Sequence, residues 1–83
     1  MTSIGEVKLA LDQGCELLRD AYRCVREAQG ALDEAVDALG KASANHHRPL
    51  VPPEFAKARE MFEDELELIV ASLELARRLT TEL

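Results

Sequence analysis

The 83 residues of this chain are enough for one domain, and their composition is typical of a folded helical protein. Hydrophobic residues make up 47% of the chain and charged residues 31%, which is too apolar for a disordered chain, and aromatic residues at 4% leave the core to Leu and Ala. The net charge of −6 is spread over both halves without a basic stripe to neutralise phosphates. We therefore expect no nucleic-acid partner.

The first predicted helix covers residues 4–43. It begins after Ser3, whose hydroxyl can accept a hydrogen bond from the backbone N–H of Glu6 in a capping box. Large apolar residues then recur every seven positions from Ile4 to Leu39, which is the period of a supercoiled seam. A row of mostly small residues, which includes Gly14 and Ala21, lies three positions after the large apolar residue in each heptad. This row predicts that a second, antiparallel helix approaches closely.

The second predicted helix covers residues 53–81 and follows a loop at residues 44–52. Pro49, Pro52 and Pro53 end the first helix because they lack backbone donors, and Pro53 suits the first turn of the next helix. One apolar ridge of this helix runs from Phe55 to Ala76 at spacings of three and four. A second ridge consists of Met61, Leu68 and Leu75. Both helices therefore have more apolar surface than one neighbouring helix can cover.

These patterns predict a single all-α domain, residues 1–83, folded as an antiparallel two-helix hairpin that assembles into a four-helix bundle. The partner is expected to be a second copy of the chain, as a homodimer, or another helical protein. The predicted interface consists of Leu11, Leu18, Tyr22, Val25, Leu32, Met61, Phe62, Leu68 and Leu75. Substitution of Leu18 or Leu68 by Glu is expected to dissociate the assembly.

Acidic residues on the second helix form a candidate docking patch for a basic partner. The patch consists of Glu60, Glu63, Asp64 and Glu67, although a solvated acidic face is the favoured interpretation of these residues and the docking patch is the alternative. A metal site is disfavoured because the helices contain no Glu-x-x-His step and the two histidines, His46 and His47, are adjacent in the loop.

No catalytic residue and no cofactor is predicted. Cys15 and Cys24 lie nine residues apart on one helix, about 13 Å along its axis, so they cannot pair with each other. They have no base visible in the sequence to activate them, and the chain has no Gly-rich phosphate loop. We expect two small buried thiols in a reducing compartment, in a chain that is not an enzyme.

The start of the chain, Met1–Val7, has neither a basic region nor an apolar core, and the longest apolar run is Leu68–Ala71. We expect no signal peptide, no membrane contact and a cytoplasmic location, with secretion by a leaderless route as the alternative.

Two long helices joined by a short turn resemble the small WXG-type hairpin proteins of type VII secretion in actinobacteria and Gram-positive bacteria, and their leaderless helical partner proteins. Where that family has Trp-x-Gly, this chain has Ala38-Leu39-Gly40, which keeps the glycine. The last segment, Leu75–Leu83, has no Tyr-x-x-x-Asp/Glu export motif. The resemblance therefore implies a partner or chaperone that pairs with an exported protein.

The sequence thus predicts a non-enzymatic helical interaction module, with a role as a partner or chaperone in a type VII secretion or toxin system. A regulatory adaptor or antitoxin-like binder that uses the acidic face of the second helix is the alternative. A metal-binding helical bundle is the more remote alternative.

Overall fold

A computed structural model describes all residues, 1–83, and contains two helices and no strand. Helix α1 covers Ile4–Ser43 and helix α2 covers Pro53–Glu82. They pack against each other along their length as an antiparallel hairpin, which confirms the predicted fold. The observed bounds differ from the predicted ones only at the end of α2, by one residue.

Local capping explains where α1 begins and ends. The Ser3 hydroxyl accepts a hydrogen bond from the backbone N–H of Glu6 at 3.1 Å, as predicted, which satisfies a donor that has no partner inside the helix. At the other end, the Ser43 hydroxyl donates to the Leu39 carbonyl and accepts from the Leu50 N–H, both at 2.8 Å. Ser43 therefore ties the last turn of α1 to the loop.

The proline pair positions the start of α2. Pro52 is extended, with φ −63° and ψ 144°, and Pro53 is the first helical residue. Its fixed φ suits a helix, and the donor it lacks would have no partner inside the helix at this position. The negative charge of Glu54, in the first turn, interacts favourably with the positive end of the helix dipole and so stabilises the start of α2. These local preferences set the turn that brings the two helices side by side.

The seam between α1 and α2 uses the main heptad row of α1 together with one flanking row. Its α1 side chains are Leu11, Cys15, Leu18, Tyr22, Val25, Leu32, Val36 and Leu39, and its α2 side chains are Phe55, Ala58, Phe62, Leu66, Ile69, Leu73 and Ala76. Cys15 is buried, with 6% of its surface exposed, and the other members are half-buried. One seam between two helices has no second layer to exclude water.

The predicted close approach along the small-residue row is wrong at Gly14. A Cβ atom at Gly14 would meet nothing within 4 Å, and Ala28 of the same row is exposed. The physical reason is that α2 packs toward the flanking row that contains Cys15 and Tyr22. The small-residue row therefore lies at the edge of the seam.

The hairpin is a rod with an unusually large surface for its mass. It measures 66 × 18 × 15 Å and has a radius of gyration of 19.2 Å, where a compact chain of 83 residues has about 12 Å. Its accessible surface is 6605 Å², against about 4,900 Å² for a compact protein of 9.2 kDa. Neither helix contains a stretch that is both long and apolar enough to cross a membrane.

Candidate interaction surface

One ion pair between the helices defines a charged face of the hairpin. Arg59 Nε lies 3.0 Å from Asp33 Oδ1, on one side of the seam. Further along this side, an open groove of about 800 Å³ is lined by both helices. Its lining includes Arg19, Arg23 and Arg77, interleaved with Glu16, Asp20 and Glu74 and with the apolar side chains Tyr22 and Val70. Acids and bases alternate here, so the groove has no strong net charge.

The opposite side of the hairpin is an apolar face. On α1, Asp33 follows the seam residue Leu32 and Ala31 precedes it, so the two lie about 100° to either side of the seam. On α2, Met61 precedes the seam residue Phe62 in the same way. In antiparallel right-handed helices, the same direction of rotation leads to the same side of the pair. Ala31 and Met61 therefore share the side opposite the Arg59–Asp33 pair.

The apolar face consists of three layers at heptad spacing. Asp33 of α1 and Arg59 of α2 lie at the same level along the hairpin. Ala31 and Met61 each lie two residues further from the turn on the same helices, so they form the first layer together. Seven residues further along each helix the pair is Cys24 and Leu68, and after seven more it is Leu17 and Leu75. Successive layers are about 10 Å apart. These six residues form one strip of three apolar layers across both helices.

The large side chains of the apolar face are exposed to solvent. Leu17 is 69% exposed, Leu68 68%, Met61 59% and Leu75 55%. Single exposed leucines are normal on protein surfaces, but several large apolar side chains aligned in one strip mark a binding surface. Glu65 and Ser72 are the polar residues between the strip and the seam on α2, and Glu65 is exposed.

The structure divides the nine predicted interface residues into two groups. Leu11, Leu18, Tyr22, Val25 and Leu32 lie half-buried in the seam with Phe62, where they contact the other helix of the same chain. Met61, Leu68 and Leu75 lie on the apolar face. The prediction omitted Leu17 and Cys24, although their heptad spacing matches that of Met61, Leu68 and Leu75.

The acidic docking patch lies on the exposed surface of α2. Glu60, Glu63, Asp64 and Glu67 are exposed, and none of them belongs to the three ion pairs of the structure. His46 and His47 are exposed in the loop. Cys15 and Cys24 are both free thiols, but the prediction that both are buried is wrong for Cys24, which is exposed because α2 packs toward the row that contains Cys15. No group of three or more His, Cys, Asp or Glu side chains is arranged to hold a metal ion.

Comparison with protein-family models, with curated proteins and with solved structures gave no match for this chain. The geometry of the hairpin surface is therefore the basis for the function proposed below.

Proposed function

We propose that this chain is a non-enzymatic helical protein–protein interaction module that binds its partner through the apolar face. The observation that supports the proposal is the strip of three apolar layers, whose four large side chains are each more than half exposed. Leaving such a strip in water is unfavourable, and covering it with another apolar helix surface gains about 25 cal/mol per Å².

The weak core of the lone hairpin also supports this proposal. Only one of the 83 residues is buried, and chains of this size obtain at most about 3–5 kcal/mol from a single core. A partner that binds the folded hairpin adds its binding free energy to the free energy of unfolding. The proposed interaction therefore also stabilises the fold.

Two kinds of partner fit the apolar face. A second copy would give a four-helix bundle, and a different helical protein with a matching apolar strip would do the same. The resemblance to WXG-type proteins adds a biological setting to the second form, in which the chain is a partner or chaperone of an exported protein in a type VII secretion or toxin system.

A competing proposal is an adaptor or antitoxin-like binder that uses the acidic patch. Its support is that Glu60, Glu63, Asp64 and Glu67 are exposed and have no cationic partner within the chain. A basic partner could pair with these carboxylates without breaking an internal ion pair. Glu63 and Glu67 each follow a seam residue of α2, which places them on the side of the charged face, so they can be changed without altering the apolar face.

Leu17→Glu is expected to abolish partner capture, because it places a charge within the apolar face. Each variant would be expressed in the native host, cross-linked, purified under denaturing conditions and analysed by mass spectrometry, so that self-linked chains and other partners are both identified. Leu9→Glu is the matched control, since Leu9 is 58% exposed on α1 but lies away from the apolar face. It should retain every partner of the wild type.

Equal capture by the Leu17→Glu and Leu9→Glu variants would contradict the proposal. The double variant Glu63→Lys with Glu67→Lys separates the two surfaces. We expect it to retain the partner, and loss of the partner in this variant alone would instead favour the adaptor.

A further inference from the structure

We infer that a second copy of this chain covers the apolar face in antiparallel orientation, with the twofold axis crossing the layer of Cys24 and Leu68. This inference rests on the proposed function, since it names the partner of the same face. In this arrangement the two hairpins stack face to face, α1 lies on α1 of the second copy, and α2 lies on α2 of the second copy. The two loops lie at opposite ends of the bundle.

The surface of the hairpin is large enough for such a dimer. The chain exposes about 1,700 Å² more than a compact protein of its mass. A standard stable interface buries about 800 Å² on each partner. Covering one side of the rod therefore supplies the area of a stable dimer and brings the surface of each chain toward that of a compact protein.

The α1 side of the apolar face is complementary to itself about Cys24. Leu17 and Ala31 lie seven residues to either side of Cys24, so an antiparallel copy sets each large leucine against a small alanine. Ala21 and Ala28, which border the face on α1, meet each other in the same way. Small residues along a helix pair allow the backbones to approach closely. The small-residue row of α1, which lies at the edge of the seam within one chain, thus packs against the second copy.

The α2 side is complementary about Leu68. Met61 and Leu75 lie seven residues to either side, so each meets the other across the axis, and Leu68 meets its own copy. Glu65 and Ser72 lie nearly the same distance to either side of Leu68. The carboxylate between the strip and the seam therefore meets the Ser72 hydroxyl of the second copy, which donates to the Leu68 carbonyl in the single chain and would turn its one hydrogen toward the carboxylate.

The parallel stack, with both loops at one end, lacks this match. There the two copies of Glu65 would face each other at the same level near the axis of the bundle. Two carboxylates in a partly buried site repel each other and lose hydration. Glu65 therefore selects the antiparallel orientation, as polar groups at coiled-coil seams select a register.

Thiol cross-linking of the purified full-length chain tests both the partner and the orientation. In the wild type, the short reagent bismaleimidoethane and copper–phenanthroline oxidation should both link Cys24 to Cys24 and give a covalent dimer. Cys15→Ser should cross-link like the wild type, since Cys15 is buried in the seam. Cys24→Ser should give no covalent dimer.

A loop cysteine reports the orientation. Asn45 lies 21 residues from Cys24, so the loops of an antiparallel dimer are about 60 Å apart. Asn45→Cys in the Cys24→Ser background should therefore give no cross-link.

Cross-linking at Asn45→Cys would overturn the antiparallel orientation. A monomeric chain without a Cys24 cross-link would overturn the second copy as partner. The proposed function would still hold after that result if capture of a different protein in the host depended on Leu17. If no such capture occurred, the proposed function would be contradicted as well.

Discussion

Leu18→Glu is expected to unfold the hairpin. Leu18 is half-buried in the seam, next to the layer that contains the buried Cys15. Glu at this position removes apolar burial and places a charge between the helices, which together cost about 3 kcal/mol or more. The loss is comparable with the whole stability that a chain of this size obtains from its core, about 3–5 kcal/mol. Circular dichroism should show a large loss of helix at 25 °C.

The control for this prediction is Leu9→Glu, which makes the same change at an exposed position of the same helix. Its helix content and urea midpoint should stay close to those of the wild type, since exposed substitutions change stability by about 0.5 kcal/mol or less. Retention of full helix content and an unchanged urea midpoint by the Leu18→Glu variant would show that the seam is placed wrongly.

Leu68→Glu is expected to dissociate the assembly while each chain keeps its own seam. Leu68 is 68% exposed in the single hairpin and belongs to the central layer of the apolar face. A buried leucine contributes about 1.5–3 kcal/mol, and a symmetric dimer contains two copies of this position. The dissociation constant should therefore rise at least about 100-fold, as measured by sedimentation equilibrium.

Val70→Glu is the matched control for Leu68→Glu. Val70 is two residues away on α2, is 42% exposed and lines the groove of the charged face. Its substitution should leave the dissociation constant within a few-fold of the wild-type value. If both variants weakened association equally, net charge rather than the apolar face would explain the effect. Raising the salt concentration should strengthen the wild-type dimer, since each chain carries a net charge of −6.

The helix bounds could be predicted from the sequence because they depend on local chemistry. Ser3 satisfies a free backbone donor at the start of α1, and the proline pair at residues 52 and 53 fixes the start of α2. Each signal acts within one turn of helix. A two-helix chain with one short loop then has few ways to fold other than as an antiparallel hairpin.

The surface that remains free could not be assigned in the same way. Leu17 and Leu18 are adjacent leucines in neighbouring heptad rows of α1, and both rows are apolar at a period of seven. Periodicity therefore predicts that one helix is too few to cover both rows, but it does not say which row the chain's own α2 takes. That choice depends on side-chain packing across the seam, where α2 lies toward Cys15 and Tyr22 and leaves Leu17 exposed.

Sedimentation velocity of the purified wild-type chain across the micromolar range is the most direct test that one hairpin cannot cover its own apolar surface. We expect a particle with twice the 9.2 kDa mass of the chain, which dissociates only on dilution. A stable, fully helical particle of 9.2 kDa at every concentration would contradict the expected self-association.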